Sequence, residues 1–209
     1  YITTDQDDNQ ITAFHPGAMN HAHENRVSDA VGVTLGMVSP DGRQGMLDHA
    51  EQFAAAGVPF IFDPGQGMPL FDGDNLERFA ELATWLAFND YEAKLMQERT
   101  GRSMRQLARQ VEAVIVTRGG EGSSIYTRDK VYDIPAAPVS RLVDPTGCGD
   151  AYRAGVLYGL QHQLDWELTG RVAALMGAIK IEHAGTQNHS FTRDEFAARF
   201  EEAFGMRLE

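Results

Sequence analysis

The chain has 209 residues, 43% of them hydrophobic, and a formal net charge of −12 at pH 7. That length supports one domain with a substantial core, and the acidic balance argues against a nucleic-acid polymer or an anionic membrane as partner while leaving room for a local phosphate site. The single cysteine, Cys148, has no internal disulfide partner, and the sequence shows neither a long apolar run nor a charged, cleavable leader, so the cytoplasm is the expected compartment.

Tyr1 opens the chain on strand-like residues, so the sequence is expected to be a piece of a longer protein. Residues 1–16 read as extended, with Ile2, Ile11, Ala13 and Phe14 apolar among polar neighbours, and "HPGAMNHAHEN" follows as a loop. "AVGVTLGMV" reads as a buried strand, "MLDHAEQFAAAG" as a helix ending near Gly57, and "VPFIFDP" as a strand ending at Asp63. The alternation continues through "NLERFAELA", "TWLAFN", "DYEAKLMQERTG", "SMRQLARQV", "EAVIVTRGG", "SSIYTR" and "KVYDIP", a pattern that predicts an α/β sheet with helical crossovers. The last third is helical: "DAYRAGVLYGLQ" is apolar around most of its circumference, "WELTGRVAALMGAIKIEHAG" follows, and Thr192 with Glu195 makes a capping box for "TRDEFAARFEEAFG".

The stretch "LVDPTGCGDAYRAG" holds the chemistry. Gly147 and Gly149 can adopt conformations that a Cβ disfavours, so "TGCGD" can turn successive backbone N–H groups toward one point. A helix starting near Asp150 adds its free N–H groups and positive dipole end, which suits a phosphoryl group, with Asp150 placed to accept a hydroxyl proton. Local physics alone favours an ordinary Asp N-cap after a glycine turn.

"DPTGCGDAYRAG" closely resembles the Asp-Thr-x-Gly-x-Gly-Asp-x-Phe signature of the ribokinase-like, or phosphofructokinase-B-type, carbohydrate kinases, with Pro145 and Tyr152 at the departures. "NDYEAK" is similar to the family's Asn-x-x-Glu motif and "TRGGEG" to its Thr-x-Gly-x-x-Gly element, in the family's order. The resemblance implies a three-layer α/β/α sandwich with a mostly parallel sheet, in which residues 1–16 form part of a lid and residues 17–209 the C-terminal part of the nucleotide-binding domain. It makes Asp150 the catalytic base and the amides of Gly147, Cys148 and Gly149 the anion hole. ATP would be bound by Asn89, Glu92, Thr117, Gly119, Gly122 and Thr146, with Gly177, Ala178 and Gly185 toward the adenine. Asn89 and Glu92 would organise a hydrated Mg²⁺, in keeping with that ion's preference for oxygen and retained waters. Asp144 and Thr146 would contribute to a monovalent-cation site, K⁺ being the expected ion. A further N-terminal portion carrying much of the sugar pocket is expected ahead of Tyr1.

"TTDQDDNQITAFHPGAM" resembles the lid of adenosine-kinase-like members, which points to the 5′-hydroxyl of adenosine as acceptor. The alternatives are another sugar or nucleoside, such as ribose or inosine, and a nucleotide-binding regulatory module without turnover. Phe14, Met19 and Phe88 are either acceptor contacts or packing residues, and Asp63 either faces the ligand or caps a turn. His15, His21, His23 and Glu24 read as a solvated loop rather than a metal site. Cys148, in an electropositive amide environment, is expected to have a lowered thiol pKa. An exposed lid edge would allow pairing with a second copy.

Overall fold

A computed structural model describes residues 2–4 and 10–208. At its start β1 (Ile2–Thr4) pairs antiparallel with β2 (Gln10–Thr12), Ile2 opposite Thr12. Asp8 and Asn9 of the lid signature lie outside the described residues. The following segment, expected as a loop, is a 3-10 helix over Gly17–Glu24.

The remaining strands and α-helices alternate through β6, as the sequence pattern predicts, and the last third is helical. They are β3 (Gly36–Val38), α1 (Arg43–Ala55), β4 (Phe60–Phe62), α2 (Gly73–Leu82), β5 (Trp85–Asn89), α3 (Asp90–Thr100), α4 (Met104–Leu107), β6 (Ala113–Thr117), β7 (Ser123–Tyr126), β8 (Val131–Ile134), α5 (Cys148–Gln161), α6 (Trp166–Ile181) and α7 (Arg193–Phe204). The sheet order is β3-β4-β5-β6-β7-β8, parallel through β6 and antiparallel at its last two pairings.

Strand period sorts the side chains into two layers. Phe60, Phe62, Leu86, Phe88, Val114 and Val116 pack with α1 to α4 on one face. Ile61, Trp85, Ala87, Ala113 and Ile115 meet Tyr152 and Val156 of α5 and Ala173 of α6 on the other. The result is a three-layer α/β/α sandwich, the α/β sheet with crossovers that the pattern predicts in the form that the family resemblance implies. Aromatic rings consolidate the first layer: Phe62 stacks on Phe79 at 4.0 Å between centroids, and Phe71 meets Phe79 edge-on at 4.9 Å. Each fully buried Phe stabilises the fold by about 1.5–3 kcal/mol relative to exposure. α7 packs outside α6 through Phe196 and Phe200.

Two expected elements are shorter than the sequence pattern implies. The run "AVGVTLGMV" contributes only Gly36–Val38 to the sheet, because Gly32 turns the backbone at φ 75° and leaves Val31 99% exposed. "SMRQLARQV" forms a single capped turn that buries Met104 and Leu107. Among the described residues no helix is long and apolar enough to cross a membrane.

The parallel strands bring their C-terminal ends to one rim of the sheet, where open α/β folds bind ligands. Asp63 follows β4, Asn89 ends β5 and Thr117 ends β6, with Asn89 directly opposite Thr117 in the register.

Candidate active site

The approach to α5 is fixed from below. The Val143 and Asp144 N–H groups both donate to the Ile181 carbonyl at the end of α6, at 2.9 and 3.1 Å. One carboxylate oxygen of Asp144 accepts from the Thr146 N–H at 2.9 Å and the other from the Gly185 N–H at 2.8 Å. Those amides, that of Thr146 foremost, with Lys180 nearby, hold the Asp144 carboxyl at about 2. Lys180 is fully buried, and its ammonium donates to the Asp144 carbonyl at 2.6 Å and the His183 carbonyl at 3.2 Å.

Gly147 then caps α5 at φ 85°, a conformation that disfavours any residue with a Cβ. Gly149 has the helical conformation instead, and a Cβ there would fall 2.5 Å from an Arg153 nitrogen. The Cys148 N–H, expected to face an anion, donates to the Pro145 carbonyl at 3.1 Å. Among the described residues the N–H groups of Gly149 and Asp150 meet no protein acceptor, so these are the free donors of the first turn. The Cys148 thiol is pushed up by burial, against the lowering expected from its position. Asp150 stands exposed in that same turn.

One turn further on, Arg153 reaches back to the sheet. Its Nη2 donates to Asp63 at 2.8 Å and its Nε lies against the second carboxylate oxygen. Asp63 is 3% exposed. Burial pushes its carboxyl up to about 6 against the pull of Arg153, and the negative charges of Glu92 and Asp150 add to the rise. Asp63, Glu92, Asp150 and Arg153 therefore form one electrostatic cluster at the rim. The sequence left Asp63 between ligand contact and turn cap, and it missed Arg153. The available signal was a lone arginine, three residues past Asp150, on a helix otherwise apolar around most of its girth.

Asn89 and Glu92 close a capping box on α3. The Asn89 side-chain oxygen accepts from the Glu92 N–H at 2.8 Å, while Glu92 accepts from the Asn89 backbone N–H at 2.8 Å and its amide at 2.9 Å. Glu92 is thereby held rigid and 5% exposed. No group of three His, Cys, Asp or Glu among the described residues could enclose a metal. This donor set fits an ion that keeps its own waters and leans on substrate phosphates, as Mg²⁺ does.

The Thr117 hydroxyl donates to the Phe88 carbonyl at 3.4 Å, next to Asn89. The loop beyond it is closed by the Arg118 N–H on the Gly122 carbonyl at 2.8 Å, with Gly119 and Gly122 at φ 54° and 85°. Gly177 lies beside the start of α5, where a Cβ would make an ordinary contact, 3.6 Å, with the Cys148 carbonyl. Ala178 points the other way, into the apolar cluster with Phe196 and Phe200. Phe88 is a core residue at 1% exposure, whereas Phe14 is 66% exposed and Met19 partly buried. His21 pairs with Glu24 at 2.8 Å on the surface.

Residues 1–193 match the pfkB family of carbohydrate kinases. The chain is 31% identical over 205 residues to a nucleoside kinase of Methanocaldococcus jannaschii, covering 96% of this chain and 66% of that protein. A nucleoside kinase of Methanothermobacter thermautotrophicus is 31% identical over 208 residues, 98% of this chain and 67% of that one. Among solved structures, the Burkholderia thailandensis nucleoside kinase in complex with inosine is 57% identical, with a TM-score of 0.95 over 99% of this chain and 70% of that one. The same protein in complex with ADP-inosine gives a TM-score of 0.93, covering 99% of this chain and 65% of that one. The chain thus spans about two thirds of the length of the relatives it matches. These relatives are named nucleoside kinases, a broader group than the adenosine-kinase-like members that the lid signature pointed to. With the extent of the match and the ordered motifs at the sheet rim, this chain belongs to the pfkB family of carbohydrate kinases.

Proposed function

We propose that this chain forms the nucleotide-binding and catalytic part of a kinase that transfers the γ-phosphoryl group of ATP to the 5′-hydroxyl of a nucleoside, inosine ahead of adenosine. The observation that carries the reading is the first turn of α5, where the exposed Asp150 carboxylate stands beside the free amides of Gly149 and Asp150. The preference for inosine rests on the Burkholderia thailandensis complexes with that nucleoside. Residues 1–16, with their β1–β2 hairpin, would form part of the lid over the acceptor, and residues 17–209 the phosphate and nucleotide side.

Asp150 accepts the proton of the acceptor hydroxyl as its oxygen bonds to the γ-phosphorus, and the bond to the β,γ-bridging oxygen breaks with its electron pair leaving on ADP. The α5 amides stabilise charge on the transferring oxygens at the positive end of the helix. Magnesium bound with the nucleotide would supply neutralisation of phosphate charge, and Asn89 and Glu92 are the residues that would hold its waters. Thr117 and the Gly119–Gly122 loop would take the nucleotide side of the cleft. The Arg153–Asp63 pair anchors α5 to β4, which fixes Asp150 relative to the sheet.

The test is ADP release by the intact native protein with ATP, comparing inosine, adenosine, ribose and no acceptor. Nucleoside-dependent release is expected, and Asp150→Asn should lower kcat by about 10²–10⁴-fold with the melting temperature nearly unchanged. Undiminished turnover in that variant would remove Asp150 from the chemistry. ATP binding with no release for any acceptor would favour a regulatory module.

A further inference from the structure

The family resemblance expects a monovalent cation between the turn before α5 and the end of α6, held in part by Asp144. Such ions are bound by backbone carbonyls and carboxylates that replace their hydration shell. That place is taken in this chain by one of its own side chains. Lys180, on the last turn of α6, is 0% exposed. Its ammonium lies 2.6 Å from the Asp144 carbonyl, 3.2 Å from the His183 carbonyl and 4.0 Å from the Asp144 carboxylate.

A lysine this deep in a protein is stable only when its charge is met by oxygens. Here the oxygens come from two segments on either side of the phosphate-binding turn. Asp144, which accepts the ammonium at its carbonyl, also gathers the Thr146 and Gly185 amides on its carboxylate. The ammonium therefore joins the end of α6, the loop at residues 183–185 and the approach to Gly147. Those are the connections a bound ion would make. A second cation sharing the Asp144 carbonyl would face a full unit of like charge within a few ångströms, in a place with little water to screen it.

We propose that the Lys180 ammonium is a tethered resident cation, which makes the turn before α5 and the site it carries independent of K⁺ and NH₄⁺. Lys180 acts through Asp144 and does not touch the reacting groups, so it is a positioning residue. Only the consequence for turnover rests on the kinase reading; the consequence for folding does not.

The experiment measures melting temperature, ADP affinity and nucleoside-dependent turnover of the intact native protein in chloride salts of Na⁺, K⁺, NH₄⁺ and choline at equal ionic strength. The wild-type chain is expected to behave alike in all four. Lys180→Ala, which opens a hole lined by the same oxygens, should melt lower and lose kcat on the order of tenfold to a hundredfold through misplacement of α5. K⁺ or NH₄⁺, and not choline, should restore much of both. Lys180→Met, which refills the space without charge, should melt lower and respond to no salt. A K⁺-specific gain in melting temperature or turnover by the wild-type chain overturns the proposal. So does a folded Lys180→Ala chain indifferent to all four ions. Should Lys180→Ala not fold, the wild-type comparison decides alone. A wild-type chain that melts alike in every salt yet releases no ADP leaves the tethered cation standing and removes the kinase reading.

Discussion

Tyr152 occupies the position at which the family signature carries phenylalanine, and its hydroxyl lies 2.7 Å from the Ser123 hydroxyl between α5 and β7. Ser123 is wholly buried, and burial pushes the phenol up to about 12, so the pair is a neutral hydrogen bond sealed in the core. Losing one partner leaves a desolvated hydroxyl; losing both leaves only an apolar contact. Tyr152→Phe is therefore expected to destabilise the fold by about 1–3 kcal/mol, because the Ser123 oxygen stays buried without a partner. The double variant Ser123→Ala/Tyr152→Phe should regain most of that loss in urea unfolding. Equal stability of the wild-type and Tyr152→Phe chains would mean that the bond contributes nothing.

Helices α5 and α6 approach closely because Gly155 faces Ala173: a Cβ on Gly155 would come within 2.5 Å of the Ala173 Cα and 2.9 Å of its nitrogen. No flexible side chain can yield there, so Gly155→Val must push α5 away from α6, at a typical overpacking cost of about 1–3 kcal/mol. Because the same helix carries Asp150 in its first turn, kcat should fall more than KM rises. Steady-state kinetics with a thermal melt would check both, and an unchanged kcat would separate the packing from the site. This element also shows where sequence reading succeeds and stops. The amphipathic periods and caps located α1, α2, α3, α5, α6 and α7, and the box at Thr192 and Glu195 forms as spaced. The glycine pattern located the turn at Gly147. What pattern could not supply was long-range pairing. Arg153 finds Asp63 across 90 residues, and the Lys180 ammonium finds the Asp144 carbonyl across 36. The Cys148 amide was assigned outward because its local partner, the Pro145 carbonyl, depends on how the turn closes. Val31 and Val33 read as strand because an apolar run does not reveal whether a neighbouring strand is there to pair with it.

Across the whole molecule, the three carboxylates with the largest shifts dominate the pH profile, with Glu77 and Glu195 also lowered by their hydrogen-bond partners. Asp144 and Glu182 are held at about 2, the first chiefly by the Thr146 amide and the second chiefly by Arg199. Their folded pKa values lie below the unfolded ones, so the stability they contribute is full above about pH 4.5 and is lost as pH falls toward 2. Asp63 has the opposite sign. Raised from 3.8 to about 6 by burial, it contributes fully below pH 3.8 and loses that contribution as pH rises through 6. The net charge of −12 at neutral pH adds self-repulsion that eases on acidification. The melting temperature is thus expected to peak between about pH 4 and 6, set by these three groups. Asp63→Asn should flatten the decline on the alkaline side of that peak. A maximum above pH 7 would mean that Asp63 is ionised at little cost.

The stretch from Gly147 to Arg153 has a consequence for redesign. Within it lie the turn, the free amides, the carboxylate and the arginine that fastens them to β4, all on one rigid helix end. On the proposed kinase reading, the means of moving a phosphoryl group would be in effect a cassette, separate in the chain from the hairpin that would greet the acceptor. Libraries that vary residues 10–19 should accordingly shift acceptor choice, read as relative kcat/KM for inosine, adenosine and ribose, while leaving ADP affinity unchanged.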